Sequence, residues 1–166
     1  TKEYLDRLER LTGARHERLF KGRWVSEEGL VYDDWDPKIH VIDESEIPRE
    51  MKWYFASIDW GYRAPGVFQV WGVDGEGNLY RVVEVYRTQK PYEWWAEVIE
   101  KHHKEYGLAA IVCDPAEPRS IDMLNDRLGE PSGRKTERLA RKADNDIMAG
   151  LDMARWALRP RKDDHP

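Results

Sequence analysis

Two short apolar runs, each closed by an aspartate, set the tightest limit on how this chain folds. Trp53-Tyr54-Phe55-Ala56-Ser57-Ile58 ends at Asp59 and is followed by Trp60-Gly61; Ala110-Ile111-Val112-Cys113 ends at Asp114 and is followed by Pro115. A strand buried on both faces reads as a continuous apolar run. A carboxylate at its exit is poorly placed for core packing and well placed to face a cleft. On neighbouring strands, two such carboxylates make a cradle of hard oxygen ligands, the kind that Mg²⁺ and Mn²⁺ take up.

The length, 166 residues, suits one domain with a real core. Charged residues make up 36% and mean hydropathy is -0.82, so the surface is densely charged, yet eight Trp and eight Tyr argue against a disordered chain. No run approaches the roughly 18 apolar residues of a membrane span, and the N-terminus lacks the layout of a signal peptide. The expectation is a soluble intracellular protein with no membrane partner. The single cysteine, Cys113, sits in an apolar run and reads as a buried structural thiol. Zinc is disfavoured, because there is no HExxH or Cys/His pairing and the adjacent His102 and His103 point about 100° apart on a helix.

A net charge of -5 lacks the basic excess usual in nucleic-acid-binding domains. Locally the picture differs. Residues 133–142 read Gly-Arg-Lys-Thr-Glu-Arg-Leu-Ala-Arg-Lys, and Arg159, Arg161 and Lys162 follow. Such a face holds phosphates or, equally, is a solvated helix surface.

Along the chain, residues 1–50 differ from the rest: a charged helical start from Glu3 to Thr12, then a stretch punctuated by Gly, Asp and Pro. From Trp53 the pattern is regular. Strands are predicted at Trp53–Asp59, Gly66–Asp74 and Leu79–Arg87, with Gly75-Glu76-Gly77-Asn78 turning the second into the third. Pro91 opens a helix that runs to about Tyr106 and stops at Gly107. A fourth strand over Leu108–Cys113 lies parallel to the first if the crossover has the usual hand. Pro118 starts a second helix, broken at Gly129-Glu130-Pro131, and a short fifth strand fits after it. A last helix runs from about Asp146 to Leu158, with Ile147, Leu151, Ala154 and Leu158 as a core-facing stripe. This is the ribonuclease H-like order: an α/β fold with three antiparallel strands, then parallel ones, in a mixed sheet flanked by helices. On it, Asp59 and Asp114 become neighbours.

Ile58-Asp59-Trp60-Gly61-Tyr62-Arg63-Ala64-Pro65-Gly66, Val73-Asp74-Gly75 with Leu79-Tyr80-Arg81-Val82, and Val112-Cys113-Asp114-Pro115-Ala116-Glu117-Pro118 closely resemble the C-terminal nuclease domain of large terminase subunits of tailed bacteriophages. The stretch through Trp24, Gly29-Leu30-Val31-Tyr32 and Ile47-Pro48 resembles the segment joining that family's motor to its nuclease. The resemblance implies a lead-in over 1–50 from an upstream ATPase domain, and a nuclease domain over 51–166 whose C-terminal part is incomplete. No Gly-x-x-x-x-Gly-Lys-[Ser/Thr] stretch is present, so the cutting module rather than the ATP-driven motor is what the chain resembles.

The implied activity is a metal-dependent endonuclease that cuts double-stranded DNA with little sequence specificity by two-metal-ion hydrolysis. The resemblance makes Asp59, Asp114 and Asp164 catalytic, and Asp59, Asp114, Asp163 and Asp164 the ligands of Mg²⁺ or Mn²⁺, two ions with DNA bound. Asp163-Asp164-His165 match the family's third acidic site; Asp144, Asp146 or Asp152 is the fallback. Arg63, Arg119, Arg134, Lys135, Arg138 and Lys142 are the candidate DNA contacts. Glu84 reads as solvent-facing, and Glu117 as a helix cap or a ligand through water. Implied partners are double-stranded DNA, an ATPase motor domain, the portal and the small terminase subunit, in the host cytoplasm. The alternatives are a junction resolvase or ribonuclease H on the same fold, and a non-catalytic module docking DNA or the portal.

Overall fold

The computed structural model describes residues 25–26, 29–32, 34–129 and 138–159. In chain order the elements begin with β1 (Val25–Ser26), β2 (Gly29–Leu30), α1 (Pro37–His40), a 3₁₀ turn (Glu44–Glu46), β3 (Trp53–Asp59), β4 (Gly66–Val73) and β5 (Leu79–Arg87). They continue with α2 (Tyr92–Tyr106), β6 (Ala110–Cys113), α3 (Pro118–Leu128), β7 (Ala140–Lys142) and α4 (Ile147–Leu158). The chain divides into two units, Glu44–Asn145 and Thr1–Asp43 with Asp146–Pro166.

Glu44–Asn145 is built on a five-stranded sheet of order β5-β4-β3-β6-β7. β3, β4 and β5 form an antiparallel meander, while β6 runs parallel to β3 and β7 parallel to β6. Alternation along the strands sorts the side chains. Ala56, Ile58, Phe68, Val70, Ile111, Cys113 and Ala140 are buried in one core with Trp95, Ala96 and Ile99 of α2 and Ile121 and Leu124 of α3. Their strand neighbours Ser57, Asp59, Gln69 and Val112 point to the opposite face, which is why the runs read as apolar yet close on carboxylates that face a cleft.

Punctuation residues end the elements. Gly107 takes φ 62°, ψ 50° and donates its N–H to the His103 carbonyl, closing α2 in the left-handed conformation. Pro91 occupies the N-cap of α2 rather than its first turn, and Pro118 opens α3. The parallel strand is shorter than its apolar run: Leu108 and Ala109 precede it, although Ala109 already donates to the Tyr54 carbonyl at 2.8 Å. β4 and β5 change register between Val70 and Trp71, a bulge that leaves Val82 without a partner. At the β4–β5 turn Asp74, 9% exposed, accepts hydrogen bonds from the N–H groups of Glu76 and Asn78, from the Asn78 amide and from the Tyr80 hydroxyl.

The edge strand β7 is fastened by one side chain. Asn125 of α3 accepts from the Ala140 N–H at 2.9 Å and donates to the Ala140 carbonyl at 2.9 Å, satisfying backbone that a further strand would otherwise pair. Between the helices, Arg127 reaches Glu100 at 2.8 Å.

In the other unit, β1 and β2 pair antiparallel. Asp36 caps α1, and Asp146 caps α4 by accepting from the N–H groups of Met148 and Ala149 at 3.0 and 3.1 Å. His40 Nε2 lies 2.8 Å from the Leu158 carbonyl, and Arg155 donates to the Val31 carbonyl at 2.9 Å. The stripe expected to face a core is only partly covered: Leu151, Ala154 and Leu158 are half-buried, but Ile147 is 76% exposed. Helical spacing says which residues share a face and nothing about what lies against it. The helix expected over Glu3–Thr12, Trp24 and the Glu130-Pro131 break lie outside the described residues.

The mixed sheet, antiparallel strands first and parallel strands after, with helices packed on it, is a ribonuclease H-like α/β fold. Among the described residues no helix is long and apolar enough to cross a membrane.

Candidate functional site

β3 and β6 run side by side with Ile58 level with Cys113, and the Asp114 N–H donates to the Ile58 carbonyl at 2.9 Å. The two aspartates therefore leave the sheet at the same end, on adjoining strands. They line one cleft of about 460 Å³ with Ser57, Val67, Gln69, Val112, Ala143 and Asn145. Residues on the non-core face, both polar (Ser57, Gln69) and apolar (Val67, Val112), supply its walls because β3, β4 and β6 all bury the alternate set.

The electrostatics follow from this placement. Burial, with the Asp114 charge second, raises the Asp59 carboxyl above its ordinary 3.8. Among the described residues no hydrogen bond to the Asp59 carboxylate offsets that cost. One oxygen of Asp114 accepts from the Ala116 N–H at 3.0 Å, a turn contact that fixes its rotamer. A pair of close, incompletely hydrogen-bonded carboxylates has the chemistry of a hard-cation site. Among the described residues no three His, Cys, Asp or Glu side chains gather around one point, so the described donors are this pair.

The loop that carries the chain away from Asp59 has no slack. A Cβ on Gly61 would lie 2.4 Å from the Gly66 nitrogen and 2.4 Å from the Pro65 carbonyl carbon, and one on Gly66 would lie 2.7 Å from the Trp95 ring. The loop is tied onward by the Gln89 N–H, which donates to the Tyr62 carbonyl at 2.8 Å. Asp59 is thus held by β3 on one side and by a closed backbone on the other.

Arg63, in this loop, and Arg119, in the first turn of α3, are exposed on the segments that leave β3 and β6. Arg138 forms an ion pair with Asp122, and Lys142 is the last residue of β7. Arg134, Lys135, Asp163 and Asp164 lie outside the described residues. Of the fallback aspartates, Asp146 caps α4, Asp152 sits 3.4 Å from Arg155, and Asp144 stands between the lining residues Ala143 and Asn145. Glu84 is exposed and pairs with Arg81 and Gln69; Glu117 precedes α3 without a side-chain capping bond. Trp95 is buried, while Trp94 is half-buried under Lys90.

Sequence reasoning missed Gln69 and Asn145 as cleft residues. Gln69 carried a signal, being the one polar residue inside the apolar run Val67–Trp71. Asn145 carried none, since only the β7 register brings it to the site.

No protein-family model matches the sequence, and no curated protein matches it. Solved structures do. The large terminase of the thermophilic bacteriophage D6E in complex with ADP aligns with a TM-score of 0.64 and 24% identity over 95% of this chain and 39% of that one. The same terminase with ATP-gamma-S gives 0.64 and 23%. The HK97 bacteriophage large terminase gives 0.50 and 9%, over 67% of this chain and 29% of that one. The chain therefore spans about two-fifths of the D6E protein it matches, and what it shares with these large terminases is the fold.

Proposed function

We propose that this chain is the nuclease part of a phage DNA-packaging terminase, a metal-dependent endonuclease that hydrolyses double-stranded DNA with little sequence preference. The observation that carries the reading is the pair of adjoining, mutually repelling carboxylates at the exits of β3 and β6. The likeness to large terminases of two phages supports the wider context.

In this reading Asp59 and Asp114 would hold Mg²⁺ or Mn²⁺, with Asp164 and Asp163 completing the set as the family resemblance implies. When bound, the ions supply an acidified water as nucleophile and neutralise the leaving oxygen. The chain's own part is positional. Ala116 sets the Asp114 rotamer, the Gly61–Gly66 closure sets Asp59, and the exposed Arg63 and Arg119 hold backbone phosphates beside the scissile one. Contacts to phosphate carry no sequence information, which fits cutting at any sequence. Placement on the genome then comes from the motor domain, the portal and the small subunit, in the host cytoplasm.

Plasmid cleavage in Mn²⁺ tests the assignment. Wild-type protein should nick and linearise supercoiled DNA, and Asp59→Asn or Asp114→Asn should lower the rate by about 10²-fold or more. Undiminished cleavage by Asp59→Asn overturns it. Competition with a four-way junction and an RNA–DNA hybrid separates this reading from a resolvase or ribonuclease H, since only the terminase reading expects linear duplex to win.

A further inference from the structure

We propose that the groove between α3 and β7 is a slot for backbone phosphates of the same DNA strand whose cleaved phosphate lies on Asp59 and Asp114, fewer than three nucleotide steps away. It rests on the nuclease reading and adds a second contact region to it.

The groove is a separate cavity of about 490 Å³. α3 supplies Pro118, Ile121 and Asp122, and β7 with its lead-in supplies Arg138, Arg141 and Lys142. Three cations face one carboxylate in a chain whose total is -5, so the charge here is local and opposite in sign to the whole. Asp122 neutralises Arg138. Arg141 and Lys142 are exposed, and among the described residues neither pairs with a carboxylate.

The backbone adds a donor. Ala143 N–H and Leu139 C=O turn inward to β6, bonding Cys113 and Ile111, so alternation turns Ala140 and Lys142 outward. Asn125 saturates Ala140, and among the described residues nothing pairs the outward N–H of Lys142. On this strand edge Arg141, on the Val112 face, and Lys142, on the α3 face, flank the outward amide, and with all three unpaired among the described residues the edge suits an oxyanion rather than a hydrophobic partner.

Register and spacing tie the cradle to the cleft. Lys142 is level with Cys113 and Ile58, each one residue short of its aspartate, so cations and carboxylates share one end of the sheet. β7 lies two strands from β3, about 10 Å at about 4.8 Å per strand. A DNA strand advances about 3.4 Å along the axis per nucleotide and also winds around it, so phosphates that far apart are fewer than three steps from one another.

The test is duplex DNA binding by fluorescence anisotropy, with Ca²⁺ in place of Mn²⁺, between about 50 and 200 mM salt. The double variant Arg141→Gln/Lys142→Gln should bind about tenfold more weakly at the lower salt, and its slope of log affinity against log salt should shrink by about two. Arg141→Lys/Lys142→Arg should retain binding, and Arg81→Gln on β5 should leave it unchanged. Unaltered affinity and slope in the double Gln variant, with unaltered Mn²⁺-dependent cleavage, removes the slot and leaves the nuclease reading standing. Weakened binding in a protein that never cuts DNA removes the nuclease reading instead.

Discussion

Asp114 donates its backbone N–H to the carbonyl of Ile58, the residue directly before Asp59. One ladder bond of 2.9 Å thus fixes the relative position of two carboxylates that lie far apart in sequence. They are kept together by β3–β6 pairing rather than by any contact of their own, so neutralising one should relieve repulsion without unfolding the sheet.

For Asp59 the sign is definite. Its folded-state carboxyl is raised by burial and by Asp114, so the stability it contributes is present below the ordinary carboxylate value and is lost as pH rises through the raised one. At neutral pH without metal, Asp59→Asn should therefore melt slightly higher than wild type, by no more than about 1 °C because the side chain is exposed and solvent screens the repulsion, and the gap should close near pH 3–4. Adding Mn²⁺ should reverse the order, because only wild type gains bound-ion stabilisation. Differential scanning fluorimetry in the two conditions checks both signs.

Gly61→Ala should lower cleavage far more than stability. The new methyl group meets backbone, not a flexible side chain, so the loop must open and carry Asp59 with it. A displacement of about 1 Å costs on the order of 10²-fold in rate. Steady-state cleavage beside a thermal melt shows whether the two effects separate; a parallel loss of both would place Gly61 in the fold alone.

At the β4–β5 turn the pH dependence runs the other way. Burial alone would raise the Asp74 carboxyl, but the hydrogen bonds from Asn78, Glu76 and Gly77 outweigh it and hold the group below 3.8. Its contribution is present above the ordinary value and lost as pH falls through the lowered one. Asp74→Asn sets a new amide donor against those of Asn78 and Tyr80, at a cost of about 1–3 kcal/mol near neutrality that narrows in acid. Urea titrations at pH 7 and pH 3 measure the difference.

Asn125→Ala should cost about 2–3 kcal/mol by leaving the Ala140 N–H and carbonyl without partners. Hydrogen exchange should localise the loosening to β7 while β3 and β4 stay protected.

Much of this architecture was legible beforehand. The apolar runs at 53–58 and 110–113, the Gly-rich turn after Asp74 and the proline at 118 announced strands, hairpin and helix, because each is a local property of backbone and burial. The pairing of Asp59 with Asp114 followed once strand order was assumed. The rest depends on contacts between distant segments. Asn125 looks like any polar helix residue until Ala140 is beside it, and Arg141 gains meaning only where α3 walls the edge strand. The bulge at Val82 left no mark in the hydrophobic pattern.

The hairpin turn offers a practical handle. Trp53 pairs with Val73 while Asp59 pairs with Val67, so Gly75 sits at the far end of the sheet, about 20 Å from Asp59 along β3. A side chain there has open space around it. Cys113, the only native thiol, is buried, and burial pushes it up to about 12, which keeps it inert to maleimides at neutral pH. Gly75→Cys would then accept a single fluorophore, and energy transfer to labelled duplex DNA would report how far any bound duplex sits from that corner while leaving Asp59 and Asp114 unaltered.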